Sequence, residues 1–345
     1  MRYREAGVDV ARSDGIKQGI GALVRRTWGT SVRPIPGGFA GVMEWPGASG
    51  DSSPTLLAAT MDGVGTKLHL ALAAGRISDA AADLVFHCAN DLLAHGARPL
   101  AFLDYVAQAR LDRTVVHQVV QGLARGCAEV GAALLGGETA EMPDTYAPEV
   151  VDVAGCMVGT VAADRLVDGS AVRPGDVLVG LGSNGLHTNG FSLARRVLEA
   201  SRLGLEDPLP GGAGETVGHA LLAPHRWYGP ALHSLLESGR VRGLAHITGG
   251  GIAGNLVRVL PAGCRARVRA RVWPRPALFR WLIETGRIPE DDARQAFNLG
   301  IGMIAVVSAE EQGRIEAELA RAGERVAALG EIAAGERGVE WVEDS

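Results

Sequence analysis

Three acids in this chain stand where catalytic carboxylates often stand. Asp62 closes an apolar run and opens the turn Asp62-Gly63-Val64-Gly65-Thr66-Lys67. Glu138 follows an apolar segment that runs into Gly136 and Gly137. Asp91 lies in the helical pattern "DLVFHCANDLLAHG". In α/β sheets, ligands collect beyond the carboxyl ends of strands. Carboxylates gathered there are the ligands Mg²⁺ prefers. The plainer reading is that each acid only caps a turn or the next helix, as glycine-flanked acids often do. The Asp62 turn has the residue types of a phosphate loop, but it is not a P-loop. That motif places Lys and then Ser or Thr directly after its second glycine, and here Thr66 precedes Lys67.

Helical arithmetic groups further polar residues with Asp91. At about 100° per residue, Asp83, His87, Asn90 and Asp91 fall within a wedge of roughly 100°, beside an apolar stripe of Leu84, Cys88 and Leu92. Such a wedge is either a ligand-facing surface or the solvent side of an amphipathic helix.

Glycine-rich segments occur in four places: "IPGGFAGV" from Ile35, the Asp62 turn, "LGSNGLHTNGFSLARRV" from Leu181, and "AHITGGGIAGNLVRVL" from Ala245. The last two run directly into helical patterns. A glycine turn followed by a helix N-terminus offers unpaired N–H groups to an anion; it also serves simply to connect elements. With the acids, the four segments suggest a polyphosphate site and a second phosphate site. His187 and His246 each abut one of these loops, where an imidazole would face any ligand. The other histidines read as solvated or structural. Ser183 and His187 have no nucleophile elbow or third partner, which argues against hydrolase chemistry.

The elements that must carry these residues alternate. Residues 55–61, 100–108, 132–135 and 151–161 read as strands, with helices over 79–95 and 114–130. After a Pro174-Gly175-Asp176 turn, strands at 177–181, 244–247, 266–272 and 302–307 alternate with helices at 190–200, 227–238, 252–260 and 309–322. The chain has 345 residues, which fits two domains, and the pattern places their division near residue 168. The expected domains are therefore 1–168 and 169–345.

Composition narrows the class. A hydrophobic fraction of 47% supports sizeable cores, and a net charge of −5 gives no electrostatic ground for nucleic acid or an anionic membrane. Cys88, Cys127, Cys156 and Cys264 lack metal or redox spacing and read as four buried free thiols in a reducing compartment. No stretch approaches a membrane span, and the first residues lack a signal-peptide core. The expected location is the cytoplasm.

Taken together, the motifs resemble the phosphoribosylformylglycinamidine cyclo-ligase (AIR synthetase) family. The segments "YREAGVDV", "GGFAG", "DGVGTKL", "DLVFHCANDLLAHGA", "FLDY", "GGETAEMP", "DVAG", "GLHTNGFSL", "LLAP", "HITGGG" and "NLGIGM" carry the resemblance over nearly the whole chain. It implies an α/β, two-domain PurM-like fold with mixed sheets, and a homodimer joined by a β-barrel-like interface between N-terminal domains. It implies ring closure of formylglycinamidine ribonucleotide to aminoimidazole ribonucleotide, with ATP giving ADP and phosphate, in purine biosynthesis. Phosphorylation of the amide oxygen would make a leaving group for attack by the amidine nitrogen.

The resemblance also implies roles. Asp62, Asp91 and Glu138 would hold Mg²⁺ on ATP, with room for a monovalent cation such as K⁺. Gly37, Gly38, Phe39, Gly63, Gly65, Thr66, Lys67, Asn90 and Gly137 would complete the ATP site. His187, Thr188, Asn189 and Gly190, with Thr248, Gly249, Gly250 and Gly251, would bind the ribonucleotide, the second loop taking its phosphate. His187, His246 and Lys67 would serve catalysis. The sequence departs from the family pattern at Pro224-His225-Arg226-Trp227-Tyr228-Gly229-Pro230, where the usual reading is Pro-Thr-Arg-Ile/Leu-Tyr-Val-Lys, and at Ala40, where glycine is usual. Lys17 is near the position of a common N-terminal lysine, without a fixed register. The alternatives are another PurM-like kinase or synthetase, and a noncatalytic nucleotide sensor.

Overall fold

A computed structural model describes residues 1–8, 10–45, 54–269 and 271–343, with the backbone alone described at 10, 11, 13–15 and 17–19. Two six-stranded sheets divide it. The first contains β1 (Val32–Arg33), β2 (Gly41–Glu44), β3 (Thr55–Gly63), β4 (Arg98–Gln108), β5 (Ala133–Glu141) and β6 (Val151–Ala162), in the order β1-β2-β3-β6-β4-β5. Strand β6 is antiparallel to both β3 and β4, and β4 is parallel to β5. The carboxyl ends of β3, β4 and β5 therefore point to one edge.

Side chains alternate across a strand. Along β6, Val151, Val153, Met157 and Val161 are buried, while Asp152, Ala154, Cys156 and Val158 are half-buried on the other face. The inner face is covered by α3 (Ile77–Leu93), itself backed by α4 (Arg113–Val130). Helix α4 starts at Asp112, whose carboxylate accepts from the amides of Thr114 (2.7 Å) and Val115 (3.1 Å). It stops at Gly131, at φ 77°. The two helices touch closely because Gly122 has no side chain: a Cβ there would lie 2.0 Å from the carbonyl oxygen of Ser78.

The second sheet contains β7 (Val177–Gly182), β8 (Val241–His246), β9 (Cys264–Arg269), β10 (Ile301–Val307), β11 (Val326–Ala334) and β12 (Gly338–Val342), in the order β12-β9-β11-β7-β10-β8. Every residue of β10 is buried. The remaining helices are α1 (Val10–Arg25), α2 (Lys67–Ala73), α5 (Phe191–Ser201), α6 (Val217–Leu221), α7 (Gly229–Glu237), α8 (Gly251–Leu256), α9 (Ala277–Gly286), α10 (Glu290–Ala296) and α11 (Gln312–Arg321). The segment between the sheets contains residue 168, where we place the domain division. The first residues rest on the second half: the Met1 ammonium donates to Gly286 O (2.9 Å) and the Tyr3 amide to Asp292 Oδ1 (2.8 Å).

Several elements differ from the sequence reading. The strand expected over 132–135 runs through both glycines to Glu141, because it pairs with β4 from Ala133 to Glu141. The helix expected over 252–260 ends at Leu256 and tightens into a 3₁₀ turn, Val257–Val259. Helices α1, α2 and α6 and strands β1 and β2 were not anticipated. Of the four free cysteines, Cys156 is only half-buried, since it faces outward on β6. Lys17 lies in α1, and its side chain is outside the described residues. No helix among the described residues is long and apolar enough to cross a membrane.

Candidate active site

The polar wedge of α3 does not face solvent. Asp83, His87, Asn90 and Asp91 are all buried, and each meets the second domain. Asp83 Oδ1 accepts from the His225 amide (2.7 Å). His87 Nδ1 contacts Thr188 Oγ1 (2.5 Å). Asn90 donates to Arg226 O (2.8 Å) and accepts from the Tyr228 amide (3.1 Å). Asp91 Oδ1 lies 2.8 Å from His246 Nδ1. The solvent-face reading of this helix is overturned: its partner is the facing domain.

Two acids meet through one imidazole. His87 Nε2 is 2.8 Å from Asp62 Oδ2 and 3.9 Å from Asp91 Oδ2. Burial disfavours charge on His87, but the Asp62 carboxylate, seconded by Asp91, outweighs it and raises the pKa to about 9. Asp62 is itself buried enough to resist ionisation, yet His87 and the Gly63 amide (2.7 Å) hold its pKa low. The Asp62 side chain remains 39% exposed, which makes it the open end of the seam. His246 has a lowered pKa, through burial against the opposing pull of Asp91. Burial and neighbouring imidazoles hold His187 and His225 well below the ordinary range.

Lys67 sits in the same seam rather than in the mouth. It is 1% exposed, and its ammonium donates to Asp83 Oδ2 (2.5 Å), His187 O (2.8 Å) and Ala223 O (3.4 Å). All three ammonium protons are engaged inside the protein, so the lysine expected at a phosphate spans the domain junction instead. Thr66, one residue earlier, pairs with Ser192 of α5 (3.1 Å). Gly65 adopts φ 66° and its carbonyl accepts from the Leu68 amide, turning the chain into α2.

The expected third carboxylate stands elsewhere. Glu138 shares a row with Tyr105, Ala154 and Gly63, three strand spacings or about 14 Å from β3. That row has the parity of Ala154, on the outer face, whereas Asp62 points inward to α3. Within one chain Glu138 does not join Asp62 and Asp91. Gly137, on the same edge strand as Glu138, pairs with Asp104 of β4.

The glycine loop at Gly37-Gly38-Phe39 is clamped from the second domain. Arg258 donates to Gly37 O (2.6 Å) and Gly38 O (2.8 Å), and its guanidinium lies 3.8 Å from the Phe39 ring centre. The Phe39 amide donates to His95 Nε2 (2.8 Å). Beside this loop lies a cavity of about 400 Å³, bordered by Trp28, Phe39, Ala59, Thr60 and Met61.

The two second-domain loops adjoin one another: a Cβ on Gly249 would lie 3.1 Å from Asn189 Oδ1. The Gly250 amide is used by Gln295 O and the Gly251 amide by Thr248 O, so this loop offers fewer free donors than its glycines suggest. Gly251 is required by packing, since a Cβ there would lie 1.8 Å from Arg294 O. Gly190, at φ 80°, starts α5. Pro230 falls in the first turn of α7, where a missing N–H costs little.

Sequence reasoning missed His225, Arg226 and Arg258. His225 was visible only as a departure from a motif, and Arg258 lay within the helix expected over 252–260, where nothing in the sequence marked its partner. Asp83 and His87 were legible through the helical wedge, though not their partners.

The donor chemistry at the mouth fits Mg²⁺. Asp62 and Asp91 present oxygen ligands, and each carboxylate oxygen keeps lone pairs beyond its present bond.

Comparison with known proteins places the chain. A family model described as "AIR synthase related protein, N-terminal domain" matches residues 40–161, and one described as "AIR synthase related protein, C-terminal domain" matches residues 173–343. The chain is 47% identical to a phosphoribosylformylglycinamidine cyclo-ligase from Sorangium cellulosum, over 96% of this chain and 95% of that one. It is 44% identical to the chloroplastic cyclo-ligase of Arabidopsis thaliana, over 97% of this chain and 82% of that one. Among solved structures, thiamine-monophosphate kinase from Stenotrophomonas maltophilia K279a shares the fold with a TM-score of 0.64 at 18% identity, covering 92% and 93% of the two chains. Hydrogenase maturation protein HypE in complex with ATP gives a TM-score of 0.62 at 20% identity, covering 83% and 82%. On the identity and coverage of these relatives, the chain belongs to the phosphoribosylformylglycinamidine cyclo-ligase family.

Proposed function

We propose that this protein closes the imidazole ring of aminoimidazole ribonucleotide, using ATP to activate the amide oxygen of formylglycinamidine ribonucleotide and releasing ADP and phosphate. The near-full-length identity to cyclo-ligases carries the reaction. The seam carries the assignment of roles. Bound Mg-ATP supplies the phosphoryl group that turns the amide oxygen into a leaving group. Asp62 and Asp91 would hold the metal, and the cavity beside Phe39 has room for the nucleotide. Gly37 and Gly38 line that cavity, Gly63, Gly65 and Thr66 would complete the nucleotide site, and Asn90 ties the helix behind them to the second domain.

His187 and His246 face the site from the second domain. Both are neutral near pH 7 because burial lowers their pKa, so either can take the proton that the amidine nitrogen sheds on ring closure. Asp91 orients His246 through its Nδ1. Lys67 holds the two domains in register rather than touching phosphate. Thr188, Asn189, Gly190 and the 248–251 loop would cradle the ribose phosphate, chiefly with side chains and the amides not already used. Burial of the whole seam excludes water, which would otherwise consume an activated amide.

We also infer a homodimer located in the cytoplasm, and the outer face of the first sheet supports the pairing. Met61, Leu100, Leu103 and Leu135 are exposed apolar residues on or beside that sheet. Glu138 lies on the same face and would reach an ATP phosphate only across a subunit junction.

The test is ADP release by wild type and Asp91→Asn, with and without formylglycinamidine ribonucleotide, and with the product weighed by mass spectrometry. Wild type should release ADP only with the ribonucleotide, and form a product lighter by one water. Asp91→Asn should lose roughly 10–100-fold in turnover with an unchanged melting temperature. ADP release without the ribonucleotide, or none with it, would favour a kinase of another substrate or a sensor.

A further inference from the structure

The seam holds more imidazole than the proposed reaction uses. His187, His225 and His246 are each buried, and one ligand nitrogen from each lies within 4.8 Å of the other two. His187 and His225 stack with ring centres 4.1 Å apart, so one ring must turn before both in-plane lone pairs can meet a single cation. The Nε2 atoms of His225 and His246 face each other at 3.1 Å.

Tautomers follow from the neighbours. Asp91 accepts a hydrogen bond from His246 Nδ1–H, so His246 Nε2 carries a lone pair. The contact with His225 then needs the proton on His225 Nε2. That leaves the His225 Nδ1 lone pair buried without a partner. His187 Nδ1 is buried without a partner as well, and it carries the ring proton, because Nε2 accepts from the Asn184 and Arg226 amides at 3.4 Å each. Buried polar atoms are nearly always satisfied, so stranded nitrogens on two stacked rings call for a reason.

We propose that His187, His225 and His246 form a site for one divalent transition cation of the zinc class, separate from the carboxylates assigned to Mg²⁺. Imidazoles suit zinc, cobalt, nickel and copper, whereas Mg²⁺ takes oxygen. Three histidines with a fourth position left to water is a recurrent zinc arrangement. Asp91 behind His246 is the kind of carboxylate that orients a ligating imidazole. His225 is fixed by its own backbone, since its amide donates to Asp83. It also stands where the motif quoted above usually has threonine.

Binding needs one free lone pair from each ring, a tautomer shift where a proton now occupies it, and a turn of the stacked pair. His225 moves its proton to whichever nitrogen does not ligate, and bound waters leave the cation. At zinc–nitrogen bonds of about 2.0–2.1 Å the ligating nitrogens stand roughly 3.3 Å apart, close to the present 3.1 Å between His225 Nε2 and His246 Nε2. A bound cation takes His187 and His246 out of proton transfer. Metal binding itself does not depend on the proposed reaction, so the two readings fail separately.

The test uses untagged, chelator-stripped full-length protein. Zn²⁺ is followed by equilibrium dialysis with elemental analysis, and Co²⁺ by its visible spectrum. Wild type should bind one Zn²⁺ per chain and give the ligand-field bands of nitrogen-bound tetrahedral cobalt. His225→Thr should keep its melting temperature and bind at least tenfold more weakly. Absence of stoichiometric binding by wild type would overturn the site. So would equal binding by His225→Thr, or thiolate charge-transfer bands placing cobalt on a cysteine. If His225→Thr does not fold, the wild-type spectrum alone decides between nitrogen and sulfur ligands.

Discussion

Two surfaces of the N-terminal domain invert the usual rule of burial. The α3 face that meets the second domain is polar and charged, and it is buried. The outer face of the first sheet carries Met61 at 69% and Leu135 at 68% exposure. What decides burial is the presence of a partner, not the polarity of the side chains. The seam has its partner within the chain, and every polar group of the wedge finds a bond there. The sheet face has none among the described residues, and the proposed homodimer would supply one.

The sharpest way to break the comparison is to strip one charge from the seam. Lys67→Met leaves Asp83 buried beside its backbone donor but without its cation. Stability should fall by about 3–5 kcal/mol in urea denaturation. Lys67→Met with Asp83→Leu should recover much of that loss, because an apolar pair removes the unpaired charge. Equal loss in single and double variants would mean the pair matters for packing alone.

Proton linkage gives the next effect. His87 holds its proton to a pKa of about 9 when folded, against 6.5 as its ordinary value. Its contribution is complete below pH 6.5 and is lost as pH rises through 9, on the order of 3 kcal/mol in total. Denaturation curves without added metal should show this fall. Asp62→Asn should flatten it, since Asp62 is the main group raising the pKa.

The smallest effect on the single chain belongs to the other surface. Leu103→Asp should change the stability of an isolated chain by no more than about 0.5 kcal/mol, as exposed sites do. Sedimentation should nevertheless shift from dimer to monomer. An unchanged dimer would place the subunit contact elsewhere.

Much of the seam was legible before the fold was known, for physical reasons. Asp83, His87, Asn90 and Asp91 fall together because a helix repeats at about 100° per residue, whatever surrounds it. His187 and His246 were visible because glycine loops flank them. The pairing of Lys67 with Asp83 was not legible, because it depends on how α2 docks against α3. His225 gave no local signal, since it sits between elements where no period applies. Glu138 was read as a strand-end ligand because two glycines look like a turn. Pairing with β4 carried the strand through them, and register then put Glu138 on the far face. Parity of that kind is a property of three neighbouring strands, not of one.

The bonds across the junction also bear on how the molecule comes apart. Lys67 is fastened to backbone carbonyls of the opposite domain, Asn90 to two backbone groups there, and Arg258 to two carbonyls of the first. Neither sheet can lose its fold without exposing buried charge on the other. Two domains built on separate sheets would then melt as a single cooperative unit, with one calorimetric transition in place of two.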